Sequence, residues 1–248
     1  MRFGAVLRRG MGAGLVAGLM TGLFQLVAGE PPVERAIQLE HLRAALSGAG
    51  GHVVEIFTRS VQRTGMVLAT GLYGVALGGV LATVLFVAAR PSNRSAARGS
   101  ERGRGSAWER SLRVALGGFV VFWLVPFLKY PANPPAVGDP ATIGLRTAAY
   151  LAMASVSLAA CLMAVAAVRR FAAQGMEPHR RQILAVAGYL VVVATAFVVL
   201  PGNPDAIEVP ADLLWSFRLA AAGGQLLLWT VAGAGIGLLT LRAERRGS

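Results

Sequence analysis

Apolar positions in this chain fall into long unbroken runs separated by short charged stretches, with little of the one-sided spacing of a surface helix. Six runs stand out, at approximately 11–28, 65–89, 112–128, 147–168, 183–200 and 219–241, and apart from Arg113 at the edge of the third they contain no Asp, Glu, Lys, Arg or His. A helix needs about 20 predominantly apolar residues to cross a hydrocarbon core of about 30 Å. Each run therefore predicts one transmembrane helix, and the chain reads as an all-α integral membrane protein forming a single transmembrane domain over 1–248. A hydrophobic content of 55% and a mean hydropathy of +0.58 agree with that reading. The segment 90–111, rich in Arg, Ser and Gly, reads as a linker.

The charges between the runs set the orientation, because short loops carrying Lys and Arg stay in the cytoplasm. With the N-terminus inside, seventeen of the 24 basic residues and four of the 12 acidic ones lie on that side, giving net charges of +13 inside and −1 outside. Both termini are then cytoplasmic and the linker is cytoplasmic. The net charge of +12 reports topology; without interleaved aromatics, the Arg-rich linker does not read as a nucleic-acid surface.

Two of the outer segments are copies of one another. Pro-Ala-Asn-Pro-Pro-Ala-Val-Gly-Asp-Pro-Ala from Pro131 aligns without a gap on Pro-Gly-Asn-Pro-Asp-Ala-Ile-Glu-Val-Pro-Ala from Pro201, with six identities. Prolines at matched positions fix φ and remove matched donors, so Pro131, Asn133, Pro134 and Pro140 should build the same loop as Pro201, Asn203, Pro204 and Pro210. The offset spans two helices, which predicts three helix–loop–helix hairpins with a parallel repeat of hairpins 3–4 and 5–6. Pro140 and Pro210 suit the first positions of the fourth and sixth helices, Asp139 an N-cap and Asp212 a first turn. Tyr130 and Trp215 suit an interfacial aromatic belt.

The first run has a second reading. Arg2, Arg8 and Arg9 ahead of an apolar stretch and Val27-Ala28-Gly29 resemble a secretory signal, whose removal would leave five helices. Against this, Gly10, Gly14, Gly18 and Gly22 recur every fourth residue and form a ridge that a neighbouring backbone can approach closely. Gly74 and Gly78 of the second run are the expected partners.

Chemistry is confined to the outer segments, since the runs offer only Gln25, Gln225, Cys161, hydroxyls and methionines. There is no phosphate-binding loop, no nucleophile–base motif, and a lone Cys161 forms no internal disulfide, so an enzyme is not expected and no cofactor is implied. His179 reads as a solvated turn residue. Outside lie Glu34, His41, His52, Glu55, Asp205, Glu208 and Asp212, a mixture of imidazole and carboxylate that suits a borderline divalent ion. Glu34, Gln38 and His41 share one helical face, as do His52 and Glu55.

The outer Pro-x-Asn-Pro loops, together with Leu-Pro-Gly-Asn-Pro-Asp-Ala-Ile-Glu-Val-Pro-Ala-Asp-Leu-Leu-Trp-Ser-Phe-Arg-Leu from Leu200, resemble the CbtA family from about Gly10 to Leu241. Members are described as probable cobalt transporter subunits. The resemblance implies a multi-pass protein of the bacterial inner membrane and a role linked to cobalamin supply. It also implies a small partner, CbtB, with a histidine-rich end. Family members carry a histidine-rich insert in the first outer loop, where this chain has His41 and His52 alone. The expected activity is Co²⁺ uptake with that partner or in a homo-oligomer. The alternatives are a non-transporting membrane scaffold and a carrier for an organic solute such as a corrinoid precursor.

Overall fold

The computed structural model describes residues 2–46, 57–89, 106–135, 137–205 and 207–246. Its helices are α1 (Phe3–Ala28), α2 (Glu30–Leu46), α3 (Arg59–Ala89), α4 (Ala107–Phe119), α5 (Val125–Lys129), α6 (Ile143–Ala173), α7 (Pro178–Val199) and α8 (Ala211–Arg245). A π-helical turn, Val120–Leu124, joins α4 to α5, and a 3₁₀ turn, Pro140–Thr142, leads into α6. Among the described residues there are no strands, and six helical stretches are long and apolar enough to cross a membrane: Phe3–Ala28, Arg59–Ala89, Ala107–Lys129, Pro140–Ala173, Pro178–Val199 and Ala211–Arg245. Each contains one of the apolar runs or all but its last residue, and most extend past it into charged turns. The segment between the first two membrane-length helices begins as helix α2, with Pro31 and Pro32 in its first turn, where their missing N–H groups cost nothing.

The chain divides into two compact units, one made of Met1–Gly118 with Ala211–Ser248 and the other of Phe119–Pro210. The first unit is built on α1. Its glycine ridge meets α3 so closely that a Cβ built on Gly14 would overlap the Gly74 carbonyl, and one built on Gly74 would overlap the Gly14 carbonyl. Gly10 faces Gly78 in the same way, and Gly18 faces the Thr70 carbonyl. Lipid tails are as apolar as leucine, so helices in a bilayer gain little by hiding Leu side chains. They gain by close backbone approach and dispersion, which small residues allow.

The other side of α1 packs on α8. Thr21 Oγ1 donates to the Gly224 carbonyl at 3.5 Å and Gln25 Nε2 to the Ala220 carbonyl at 3.2 Å, satisfying side-chain polar groups that lipid could not. Gln25 is thus a fastener between helices. Gln225 accepts from the Trp229 indole at 3.1 Å. Further along α8, Gly118 of α4 gives room to the Trp229 ring, and Gly237 gives room to Ser111 and Trp108.

The second unit centres on α6 and α7, where Val125, Met153, Val193 and Ala196 form a buried cluster. Ser157 and Tyr189 hydrogen-bond through their hydroxyls at 2.8 Å. The helices are joined by a tight turn in which Gly175 has φ +79°, the Met176 N–H reaches the Phe171 carbonyl and the Gly175 N–H the Ala172 carbonyl. That is the Schellman arrangement, which needs a left-handed residue, and Pro178 then starts α7.

Pro126 accounts for a local irregularity. It has no N–H for the carbonyl of Phe122 four residues earlier, the preceding turn is π-helical, and the Tyr150 hydroxyl of α6 donates to that carbonyl at 3.1 Å. Tyr150→Phe is expected to cost about 1 kcal/mol in unfolding experiments in detergent. In a Pro126→Ala background the same substitution should cost clearly less, because alanine at that position restores a backbone donor; equal costs would remove Tyr150 from this role.

Candidate functional site

Both copies of the repeated loop belong to the second unit, and they line one cleft of about 480 Å³. Asn133 and Pro134 from the first copy, Asn203 and Pro204 from the second, and Arg146 and Tyr150 from α6 contribute to its wall. Side chains at the end of α5 hold the two copies together. Lys129 Nζ donates to the Phe197 carbonyl at 2.8 Å, neutralising one of the orphan acceptors at the C-terminus of α7. The Tyr130 hydroxyl donates to the Pro201 carbonyl at 2.7 Å. Burial pushes the Tyr130 phenol above its ordinary value, which keeps it a donor.

Within the loops the capping expectations are met in part. Asp139 is the N-cap of the 3₁₀ turn, its carboxylate accepting from the Ala141 N–H at 2.8 Å, and Pro140 follows at the first position. Pro210 lies one residue ahead of α8, which begins at Ala211, while Asp212 is in the first turn as expected. Asn203 closes its own turn by accepting from the Asp205 N–H at 3.3 Å.

Asp205 is the central charge of this site. Its side chain is 5% exposed, lies 3.1 Å from Arg146 Nε and accepts from the Thr142 hydroxyl at 2.9 Å. The Arg146 Nε–H is not aimed at the carboxylate, so the attraction is ionic, and Arg146 donates elsewhere, to the Val137 carbonyl at 3.3 Å. Gly138, with φ +99°, passes so close that a Cβ would strike both Asp205 and Arg146. Its partner in the repeat is Glu208, and the partner of Asp205 is Pro135. The copies have diverged where the ion pair sits.

In the first unit carboxylates also meet arginines. Glu30 accepts from both Arg59 and Arg63, the latter at 2.7 Å, and Glu34 accepts from Arg63 at 2.7 Å. Asp212 is paired with Arg35 at 2.6 Å. His41 lies on an exposed part of α2; Glu208 is in the second loop and has interactions of its own; His52 and Glu55 lie outside the described residues. Among the described residues no three His, Cys, Asp or Glu side chains gather as a ligand set. The arginine partners were the residues sequence reasoning passed over. Their signal was the near-balance of charge in the segments expected outside, since eight acids beside seven basic residues imply pairing more than an open acidic patch.

A family model described as "Probable cobalt transporter subunit (CbtA)" matches residues 3–241. The chain belongs to the CbtA family. No curated protein and no solved structure matches it. The CbtA match spans α1 to nearly the end of α8, so it includes both units and both loops. With six membrane-length helices, this CbtA chain is a multi-pass membrane protein and, by its family, a transporter subunit.

Proposed function

We propose that this chain is the membrane subunit of a divalent cobalt uptake system in a bacterial inner membrane, with both termini cytoplasmic, working with a small histidine-rich partner. The family match carries this reading. It is supported by the division of charge along the sequence. A hydrated dication cannot cross a path of Ala, Val, Leu and Gly side chains, so ligands from a partner, a second copy or exposed backbone must complete the route.

The proposed collecting groups at the outer mouth are Glu34, His41, His52, Glu55, Asp205, Glu208 and Asp212, and the ion pairs rank them. Glu34 with Arg63 and Asp212 with Arg35 are about half exposed on both sides, and solvent screening leaves such pairs weak, so an arriving metal ion can displace the arginine. Asp205 is held by both Arg146 and Thr142 and serves chiefly to shape the loops.

Radiolabelled cobalt uptake in cells lacking their own importers tests the proposal, with the chain expressed alone and then with the histidine-rich subunit. Accumulation several-fold above background is expected only with both. Replacing Glu34, His52, Glu208 and Asp212 together by their amides or asparagine should then lower accumulation by at least half, and unchanged uptake at normal protein level would remove the carboxylate assignment. The loop-lined cleft is in the size range of small-molecule sites and favours a second reading, a carrier for a small organic solute. That reading takes over if no cobalt enters with either expression.

A further inference from the structure

Two segments far apart in sequence bring three arginines to one cleft in the first unit. Arg9 lies two turns into α1, Arg242 lies in the last turn of α8, and Arg246 follows directly after its final residue, Arg245. With Leu239 and Ala243 they line a cleft of about 460 Å³. Arg242 and Arg246 meet at that cleft beside Leu239 and Ala243, which are themselves one helical turn apart. Among the described residues, the six ion pairs use none of these three guanidinium groups.

Ordinary helix electrostatics explain part of this. Arg242 and Arg246 complement the negative end of the α8 dipole, but Arg9 is near the positive end of α1, where a cation is disfavoured. The charge bias of membrane topology accounts for the sign of this end of the unit and not for three cations converging on one concavity. Their mutual repulsion is relieved by an anion, and guanidinium forks match the oxygens of a phosphate group in bidentate fashion. The apolar wall of Leu239 and Ala243 suits the first methylenes of a lipid. We infer that the cleft between Arg9 of α1 and Arg242 and Arg246 at the C-terminal end of α8 is a binding site for a phosphate-bearing anion, with the headgroup of an anionic phospholipid as the source the membrane supplies.

The test uses the purified full chain in detergent, with native mass spectrometry reading lipid adducts after addition of phosphatidylglycerol or phosphatidylcholine, and thermal unfolding read with and without inorganic phosphate. The expected result is a phosphatidylglycerol adduct retained at least tenfold better than phosphatidylcholine. Arg9→Gln, Arg242→Gln and Arg246→Gln together should reduce it to the phosphatidylcholine level, while the three lysine replacements keep most of it. A charge-matched control, Arg2→Gln, Arg8→Gln and Arg170→Gln, should retain the adduct. If inorganic phosphate raises the melting temperature of the parent and not of the cleft variant, without a preference for phosphatidylglycerol, the site stands and its ligand is a free phosphate. Equal retention by parent and cleft variant, or equal loss from both glutamine variants, overturns the site. All readouts are of binding, so they stand apart from whether cobalt is transported.

Discussion

Gly14→Val will prevent the first unit from assembling, with destabilisation of about 3 kcal/mol or more and a corresponding fall in the amount of protein recovered from the membrane. The new Cβ would occupy the space of the Gly74 carbonyl, and the backbone on both sides is helical, so neither helix of the seam has a flexible end to move aside. Overpacking a well-packed interior typically costs about 1–3 kcal/mol, and pushing two helices apart also forfeits the contacts made by Gly10, Gly18 and Gly78. Gly12→Val is the matching control. Gly12 is on the same helix but a Cβ there meets nothing, so its cost should stay within about 0.5 kcal/mol. Unfolding of the detergent-solubilised variants, followed by protease sensitivity or circular dichroism, separates the two. Equal behaviour of both variants would mean that α1 does not pack on α3 through this ridge.

Asp205→Asn is expected to destabilise the second unit by about 2 kcal/mol, which for a chain of this size is a drop in melting temperature of about 5 °C. Asparagine keeps the shape and still accepts from Thr142, so the loss isolates the charge. Arg146, whose side chain is 28% exposed, would keep its positive charge without the carboxylate 3.1 Å away, and its partial exposure to solvent limits the penalty. In an Arg146→Met background the Asp205→Asn change should cost less than about 1 kcal/mol, since no cation is left to compensate. Additive costs in the double variant would show that the pair is a bystander. Because the pair ties the first turn of α6 to the second repeated loop, the single variant should also loosen the cleft that both loops line.

The long-range order of the fold was legible because it depends on one-dimensional quantities. Run length gave the six helices, the four-residue spacing of Gly10 to Gly22 gave the face of α1 that meets α3, and the prolines of the repeat gave the irregular loops. Capping was legible at Asp139, where the preference is local, and off by one residue at Pro210, where the helix start depends on how the last loop turn closes. The ion pairs were not legible, since Arg146 and Asp205 are 59 positions apart and Arg35 and Asp212 are 177 apart, and charge alone does not choose a partner. Nor was the packing of α8 on α1, because Ala- and Gly-rich helices carry little information about which neighbour they prefer. Pro126 did leave a visible mark inside an apolar run, but its acceptor at Phe122 and the donor at Tyr150 become evident only in three dimensions.

The route of the chain through its two units has a consequence for biogenesis. The second unit is one continuous segment, Phe119–Pro210, whereas the first waits for Ala211–Ser248. During synthesis α1 and α3 can dock at once, but Thr21 and Gln25 must lie without their acceptors until α8 emerges, 203 and 195 residues later. A half-made chain therefore carries a Gln25 amide without the acceptor that the finished one supplies, so the seam between α1 and α8 is the last part of the first unit to close.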